Sequence, residues 1–386
     1  MRGVVVATLM RREGGTGVQT HARTVVEHSV AAGRESSVVT PFEASSPLLA
    51  PAFALRQPLR VVSRPAAVWW YRAGHAHYLR QALGAELARR PGAVVYAQCP
   101  VSAAVALDVR HDQPVVLAVH FNHSQAEEWT GKGEVRRDGR VFRGIEALDR
   151  DVLPRVDGLV YVSEDSRELV EARIPAAARV PSMVLPNPVP GRPGGNAPAM
   201  TGDLITVGSL EPRKNHAYLL DILARAHGAG RRYSLTIVGE GPEFGSLREH
   251  ARRLNLGEHV RFAGYRTDVT DLLRGHRAYV HTAVAESFGI VLVEAMHAGL
   301  PVMAAPVGGI PEVVRDGRDG LFWPLDDAAA AAEVLTGLLD DPARCAAMAA
   351  AARQGAQRFE PAVLMPRLLS FLDGCQKAAK PVSRHV

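Results

Sequence analysis

Two glutamates flank an apolar run near residue 290. The segment Glu286–Glu294 reads Glu-Ser-Phe-Gly-Ile-Val-Leu-Val-Glu and follows a predicted strand that ends at His281. Because the residues between the carboxylates are apolar, the helix beginning near Gly289 must be buried, and its first N–H groups, at Gly289 and Ile290, suit an anion. Glu294, one turn further on, can accept hydrogen bonds from vicinal hydroxyls such as those of a ribose, and Glu286 can hold sugar hydroxyls. The alternative, in which both glutamates only cap helices or form salt bridges, is the weaker interpretation.

A pair of cations follows another predicted strand. The run V-G-S-L-E-P-R-K-N from Val207 to Asn215 places Arg213 and Lys214 just past the strand end, before a helix that begins near Ala217. The carboxyl ends of parallel strands face the crevice where α/β proteins bind ligands. A guanidinium and an ammonium there can bind a diphosphate and neutralise the charge that develops on it as a leaving group. A solvated helix cap is the alternative for this pair taken alone.

A glycine-rich turn, Gly14-Gly15-Thr16-Gly17, lies between a predicted strand and a helix. The apolar face predicted for that helix consists of Val18, Ala22, Val25, Val26 and Val30. Such a turn lets backbone N–H groups approach a phosphate or a sugar, although glycine turns also occur for packing reasons, and both interpretations stay open. His120 lies at another predicted strand end, where a lone histidine is more often structural.

Short β-branched runs alternate with longer amphipathic stretches along almost the whole chain. This pattern is typical of parallel sheets with helices on both faces. The predicted strands are 4–9, 37–40, 93–97, 115–120 and 158–163 in the first half, and 204–207, 235–238, 260–262, 278–281 and 301–304 in the second. The predicted fold class is therefore α/β, with two nucleotide-fold-like domains.

The boundary between the domains is predicted in the run PNPVPGRPGGNAPAMTG at 186–202, which can hold neither a helix nor a central strand. We assign 1–187 to an N-terminal domain, 188–202 to a linker and 203–360 to a C-terminal domain. The last segment, 361–386, carries a helical leucine stripe that needs a surface to cover. The stripe consists of Leu364, Leu368, Leu369 and Leu372. We expect this helix to pack back on the N-terminal domain.

Composition excludes several classes of protein. The 386 residues are 47% hydrophobic, which suffices for two cores. The net charge of +5 is small, and the arginines are scattered among acids, which argues against a nucleic-acid-binding protein. The first eleven residues are too short an apolar stretch to span a membrane and predict a buried strand. Cys99, Cys345 and Cys375 fit neither a zinc site nor a disulfide scaffold, so we expect a reducing, cytoplasmic location.

In combination and order, the motifs of the second half resemble the donor half of retaining glycosyltransferases of family 4, also called glycosyl transferases group 1. Between residues 207 and 324 they are VGSLEPRKN, IVGEGPE, FAGY, ESFGIVLVEAMHAGLPVMAAPVGGIPEVV and DGLFWP. A thinner match in the first half includes GGTG, His120, VSEDSRELV and Pro-Asn-Pro at 186–188. The resemblance implies a GT-B architecture of two Rossmann-like domains facing each other across a cleft. It also implies that the N-terminal domain binds the acceptor and the C-terminal domain the nucleotide-sugar donor.

The resemblance also implies roles for individual residues. The catalytic residues would be Glu286, His120, Lys214 and Arg213. The donor-binding residues would be Gly15, Gly17, Arg213, Lys214, Gly264, Tyr265, Phe288, Gly289, Ile290 and Glu294. In the family these positions contact the phosphates, the base (Gly264 and Tyr265) and the ribose (Glu294). Ser209 departs from the many members that have arginine after the glycine of the VG motif. Members with a related E-P-R-K-N form carry that charge beside the lysine, as Arg213 does here.

The resemblance further implies transfer with retention of anomeric configuration, without a metal and without a cofactor other than the substrate nucleotide sugar. UDP is the family-level expectation for the nucleotide. The sequence has no Asp-x-Asp motif at a predicted strand end. Its Asp-Asp pairs at 326–327 and 340–341 lie at predicted helix starts, where carboxylates cap N–H groups.

The acceptor is less well defined by the sequence. A polar loop predicted between residues 121 and 143 contains Glu127-Glu128-Trp129, which suits a cationic ring such as an aminoglycoside or another antibiotic intermediate. A plain solvated loop is an equal alternative. The aromatic residues 69–71 beside Arg72 suit a membrane interface and a lipid-linked or cell-envelope acceptor. We favour a small polar hydroxylated acceptor, because the first domain has few clustered basic residues.

Three other functions remain as alternatives. A nicotinamide-dependent oxidoreductase needs an acidic residue at the end of the second strand, where the chain instead places Glu43 beyond a proline. A sugar-nucleotide epimerase or hydrolase would use a similar crevice, and product analysis separates it from a transferase. A non-catalytic scaffold is disfavoured, because both glutamates and both cations are present.

Overall fold

The structure is a computed structural model that describes residues 3–191 and 200–378. Its described strands form two parallel six-stranded sheets, with the orders β2-β1-β3-β4-β5-β6 and β12-β11-β10-β7-β8-β9. The strands are β1 Val4–Ala7, β2 Ser36–Val39, β3 Val94–Ala97, β4 Val115–Val119, β5 Gly158–Tyr161, β6 Ser182–Val184, β7 Leu204–Val207, β8 Leu235–Val238, β9 Val260–Gly264, β10 Ala278–His281, β11 Val302–Ala304 and β12 Gly320–Phe322. The prediction of two α/β domains is confirmed.

Sixteen α-helices surround the sheets in the described residues. They are α1 Gly17–Ala31, α2 Leu49–Ala54, α3 Arg56–Val62, α4 Arg64–Arg89, α5 Pro100–Val109, α6 Gln125–Gly131, α7 Arg140–Val152, α8 Glu164–Arg173, α9 His216–Gly228, α10 Phe244–Arg253, α11 Val269–Arg274, α12 Ile290–Ala298, α13 Ile310–Val313, α14 Ala328–Leu339, α15 Pro342–Ala356 and α16 Pro361–Ala378. None of these helices, over the ranges described, combines the length and apolar character that a membrane crossing needs.

The chain divides into two compact units, one of residues 1–188 with 361–386 and one of residues 189–360. Each sheet has a point where the strand order reverses. In the first unit it lies between β1 and β3, and in the second between β7 and β10. The crevice outside the carboxyl ends of the strands at such a point is where open α/β sheets bind ligands. The loops that follow these four strands are therefore the places to look for function.

Helix α16 belongs to the first unit. The four leucines of its predicted stripe are all buried. The guanidinium of Arg34 donates to both carboxylate oxygens of Asp373, at 2.8 and 2.7 Å, and holds the helix against the end of α1. At Gly158, the first residue of β5, a Cβ atom would lie 2.6 Å from Sγ of Cys375, so only glycine fits under this helix.

The predicted linker is only partly described, because residues 192–199 lie outside the described ranges. Its two ends are anchored within the second unit. The buried Val189 donates its N–H to the carbonyl of Phe359 at 2.9 Å, and Thr201 donates to the carbonyl of Gly275 at 2.7 Å. Val189, the second residue of the predicted linker, is therefore held by the second unit, and the bounds of the linker stay a prediction.

Two details of the predicted secondary structure are wrong. The loop predicted between residues 121 and 143 contains α6 and the start of α7, because Ser124 caps the N–H of Glu127 and so starts a helix. The terminal strands β6 and β12 were not predicted, since runs of three residues carry too little periodicity.

The predicted apolar face of α1 is also partly wrong. Val30 is exposed, whereas His21, Thr24 and Ser29 are buried. These polar residues tolerate burial because their side chains find partners: Ser29 Oγ donates to the carbonyl of Val25, and His21 Nε2 lies 3.1 Å from the Tyr96 hydroxyl.

Candidate functional site

The turn after β7 and the loop after β10 are tied together in the second unit. The two strands pair directly, with Ala278 opposite Leu204. Beyond the strand ends, the hydroxyl of Thr282 donates to the carbonyl of Asn215 at 2.9 Å, and the N–H of Val284 donates to the carbonyl of Arg213 at 2.9 Å. The predicted cation pair and the predicted glutamate segment are therefore held side by side at the point where the strand order reverses.

The centre of this site is a buried ion pair between Lys214 and Glu286. Lys214 Nζ lies 2.5 Å from Glu286 Oε2, and each side chain is only 11% exposed. His281 Nε2 lies 3.6 Å from the same oxygen. Trp323 donates its indole N–H to the carbonyl of His281 at 3.3 Å and so supports the end of β10.

The charges of this centre follow from its surroundings. Burial by itself would raise the pKa of Glu286, but the ammonium of Lys214 and the imidazole of His281 outweigh it and hold that pKa well below its usual range. Burial, with the positive charge of Lys214, lowers the pKa of His281. At neutral pH the carboxyl of Glu286 is therefore ionised and the imidazole of His281 is uncharged, within one desolvated cluster.

Arg213 is oriented by Glu211. Its Nε atom lies 2.5 Å from Glu211 Oε1, with the arginine side chain 31% exposed and the glutamate buried. The two cations thus differ in exposure: the side chain of Lys214 is buried against Glu286, whereas that of Arg213 is 31% exposed.

The backbone at the start of α12 lies just after Glu286 in the sequence. Gly289 caps this helix with φ of 83°, and a Cβ atom there would lie 2.7 Å from a methyl carbon of Leu292, so glycine is required. Phe288 is buried, with its ring 5.5 Å from that of Phe359. Its side chain therefore belongs to the core, and only its backbone and those of Gly289 and Ile290 are available for an anion.

Glu294 lies in the second turn of α12 and is partly buried. Burial is the main reason why the pKa of Tyr279 is raised, and the carboxylates of Glu286 and Glu294 both add to the increase. The hydroxyl of Tyr279 reaches the carbonyl of Val207 at 3.3 Å. The two glutamates predicted as functional are therefore both near the same tyrosine, at the junction of β7 and β10.

The loops after β8 and β9 complete this edge of the sheet. At Gly239 a Cβ atom would lie 1.9 Å from the carbonyl oxygen of Gly208, so the glycine motif after β8 exists because two backbones pack directly. The N–H of Gly239 donates to the carbonyl of Gly264 at 2.8 Å, which places Gly264 beside this contact. Tyr265 is exposed, and its N–H lies 3.4 Å from Glu240 Oε1.

The other candidates, Gly15, Gly17 and His120, lie in the first unit. The glycine turn is held by Gln19, whose amide donates to the carbonyls of Arg11 at 2.9 Å and Glu13 at 2.8 Å. His120 follows β4, and its ring packs edge-on against that of His21 in α1, with centroids 5.0 Å apart. The structure therefore links the turn to His120 through α1.

The protonation of His120 is set by Gln98, at the end of β3. Burial lowers the pKa of His120 to about 4, so its ring is neutral at pH 7. The amide nitrogen of Gln98 donates to the carbonyl of Tyr96 at 3.4 Å, which leaves its oxygen, 3.0 Å from His120 Nε2, as the acceptor. His120 Nε2 therefore carries the proton and Nδ1 is the basic nitrogen.

Several of these residues were not identified from the sequence. Gln19 had a local signal, the capping box Thr16-x-x-Gln19. His281 also has a local signal, because it closes a buried strand five residues before Glu286. The parts played by Glu211 and Gln98 depend on contacts that no local pattern indicates.

Comparison with known proteins identifies the family. The model of Glycosyl transferases group 1 matches residues 192–355, and that of Glycosyltransferase Family 4 matches residues 15–190. Glycogen synthase of Mycobacterium tuberculosis is 30% identical over 302 residues, which cover 74% of this chain and 70% of that protein. The chain belongs to the group 1 glycosyltransferases. The predicted family is thereby confirmed.

Solved structures show the same fold. Sucrose-phosphate synthase from Thermosynechococcus elongatus has a TM-score of 0.75 at 17% identity, over 98% of this chain and 100% of that one. Anabaena HepE in complex with UDP-glucose has a TM-score of 0.68 at 19% identity, over 97% and 100%. Of TarM from S. aureus and of the pneumococcal O-GlcNAc transferase GtfA, which have the same fold, this chain spans only 58 to 60% of the length. These structures support two Rossmann-like domains of the GT-B type.

Proposed function

We propose that this group 1 glycosyltransferase moves a hexosyl or aminohexosyl unit from a UDP-sugar to a hydroxyl of a small polar acceptor, with retention of anomeric configuration. The observation that carries the proposal is the buried Lys214–Glu286 pair with His281, located where the strand order reverses. A buried charged cluster costs folding free energy, so its presence at the ligand-binding edge favours a role in binding or catalysis over a structural role.

In this proposal the donor bridges groups that are already in place. The ammonium of Lys214, the guanidinium of the partly exposed Arg213 and the N-terminus of α12 take up the charge that develops on the leaving diphosphate. The carboxylate of Glu286 accepts hydrogen bonds from hydroxyls of the transferred sugar, and Glu294 accepts them from the ribose. These groups are preorganised in a desolvated site, so their electrostatic effect on the transition state is larger than it would be in water.

The proposal also assigns donor contacts to the glycine turn, to His120 and to the loop after β9. Gly264 and Tyr265 contact the base, and Gly15 and Gly17 approach the phosphates. His120, neutral and protonated on Nε2, contacts the donor sugar. The acceptor hydroxyl attacks from the face that the diphosphate leaves, and neither a metal nor a further cofactor takes part. That HepE was solved with UDP-glucose supports UDP as the nucleotide.

We assign acceptor binding to residues 1–187 and donor binding to 203–360, with the protein acting in the cytoplasm. An aminoglycoside or another antibiotic intermediate is one acceptor of the proposed class. The structure weakens one argument for a cationic acceptor, because Glu127 Oε2 is bonded to Arg137 at 2.6 Å. A lipid-linked acceptor is the second candidate, and a cluster of exposed apolar side chains on α2–α4 favours it.

The deciding experiment is calorimetric titration with UDP, GDP, ADP, dTDP and NAD in the presence of EDTA. We expect one nucleoside diphosphate, UDP, to bind, and Glu294→Ala to lose most of that affinity. Glu249→Ala is the matched control, because this carboxylate pairs with Arg252 on the exposed surface of α10 and should leave binding unchanged. Binding of NAD alone, or of no nucleotide, would overturn the proposal.

Turnover is then measured with the UDP-sugar that binds. A new glycoside with the anomeric configuration of the donor supports transfer with retention. A free sugar or an epimerised nucleotide sugar as the main product, with acceptors present, would instead identify a hydrolase or an epimerase.

A further inference from the structure

Exposed apolar side chains are concentrated in one short part of the first unit. Of the twelve large apolar side chains that are exposed in the described ranges, five lie between residues 48 and 69. They are Leu48, Leu55, Val61, Val62 and Trp69. Val61 is 89% exposed, Val62 85% and Trp69 59%. Single exposed apolar residues are normal on a protein surface, but a concentration of this kind marks a binding surface.

These residues lie on a compact arrangement of three helices. Helices α2 and α3 follow each other with only Leu55 between them, and both pack against α4. Trp70 of α4 is tied to α2, since its indole N–H donates to the carbonyl of Ala52 at 2.7 Å. The neighbouring Trp69 remains mostly exposed. The helices are therefore held in place while the apolar side chains named above stay in contact with solvent.

The same segment has an unusual charge. Between Glu43 and Glu86 the sequence has five arginines, no lysine and no acidic residue, a net charge equal to the +5 of the whole chain. The arginines are Arg56, Arg60, Arg64, Arg72 and Arg80. The expectation that arginines are everywhere scattered among acids fails here. Arg60 and Arg80 do pair with acids outside the segment, Glu134 and Asp108, but each arginine side chain stays about half exposed.

An apolar cavity adjoins this surface. It measures about 620 Å³, lies between α4, α5 and α7, and is lined by Trp69 together with Val101, Val105, Ile145 and Leu148. Its charged lining consists of Arg72, Arg140 and the paired Arg80 and Asp108, so arginines outnumber the single carboxylate. Apolar walls combined with guanidinium groups match the chemistry of an anionic lipid, which carries hydrocarbon chains next to a phosphate.

We propose that the surface formed by α2, α3 and the first turns of α4 docks the protein on an anionic phospholipid membrane. Val61, Val62 and Trp69 enter the headgroup region, where tryptophan is favoured and apolar side chains leave water. Arg56, Arg60 and Arg64, on α3 and at the start of α4, remain at the level of the lipid phosphates and supply the electrostatic part of the attraction. This inference does not depend on the chemistry of the donor site, but it would bring the enzyme to lipid-linked acceptors.

The test is flotation of the full chain with vesicles of phosphatidylcholine and phosphatidylglycerol in equal amounts, compared with pure phosphatidylcholine. We expect binding to the anionic vesicles, weaker binding at 0.5 M salt, and a blue shift of tryptophan fluorescence. The double variant Val61→Asp/Val62→Asp should lower the vesicle partition coefficient by about tenfold or more, because two apolar insertions are lost and two repulsive charges are added.

Val30→Asp is the matched control, since Val30 is 55% exposed on α1 of the same unit. It should bind vesicles as the unchanged protein does. Absence of binding to anionic vesicles, or equal binding by the double variant and the control, would overturn the proposal. Concentration-dependent dimerisation that the double variant abolishes, without vesicle binding, would show that the surface instead contacts a second copy. Calorimetry with UDP on the same proteins reports separately on the proposed function, so the two proposals fail independently.

Discussion

The Lys214–Glu286 pair allows a quantitative prediction about the second unit. Both side chains are 11% exposed and their charged atoms are 2.5 Å apart. Removing one partner of such a pair leaves the other charge buried, which costs about 3 to 5 kcal/mol of unfolding free energy. We therefore expect Lys214→Met and Glu286→Gln each to destabilise the unit by about 3 kcal/mol. The double variant leaves no buried charge and should be less destabilised than the sum, by about 2 kcal/mol.

Trp323 is the probe for this measurement. It is buried next to the pair, because its indole N–H contacts the carbonyl of His281. With the other three tryptophans, Trp69, Trp70 and Trp129, replaced by phenylalanine, urea unfolding followed by fluorescence reports on the second unit alone. Additive single effects, or single effects below about 1 kcal/mol, would refute the reasoning, since an exposed pair behaves that way. The Arg252–Glu249 pair on α10 provides that exposed comparison.

The Lys214–Glu286 pair also predicts how the free energy of unfolding depends on pH. The pKa of Glu286 in the folded protein is lowered from its ordinary value of 4.5. A group of this kind contributes stability that is present above pH 4.5 and is lost as the pH falls below it towards the folded pKa. Glu286→Gln should therefore flatten the acid side of the stability profile. An unchanged slope below pH 4.5 would mean that other carboxylates dominate it.

Two further predictions concern single positions. Gln98→Glu places a carboxylate beside the imidazole of His120 and should raise the pKa of that histidine from about 4 by at least about one unit. NMR titration measures this pKa. If turnover needs the neutral ring, the acid limb of the rate profile moves to higher pH. Gly239→Ala should destabilise the second unit by more than about 2 kcal/mol, because its Cβ would lie 1.9 Å from the carbonyl oxygen of Gly208. Gly245→Ala in α10 is the control, since no described atom lies within 4 Å of its added Cβ, and it should leave the melting temperature unchanged or raise it.

The sequence by itself determined the class of fold and named most residues of the candidate site. Ten of the strands were predictable, because buried parallel strands are β-branched runs bounded by turn residues. The predicted helix starts at 327 and 341 are confirmed, since Asp327 and Asp341 cap α14 and α15 through their side chains. Lys214 and Glu286 were candidates because they follow such strands, and the carboxyl ends of parallel strands share one edge of the sheet. These signals are local, so one sequence is enough to detect them.

Only the tertiary structure decided which of these residues meet. Lys214 and Glu286 are 72 positions apart, and they pair because β7 and β10 are neighbours in a sheet whose order no local pattern encodes. The same holds for Gln98 and His120 in the first unit. Burial and the nearest charge set a pKa, and both depend on contacts between distant segments. The sequence therefore indicated which residues were candidates, and packing determined their charges, partners and exposure.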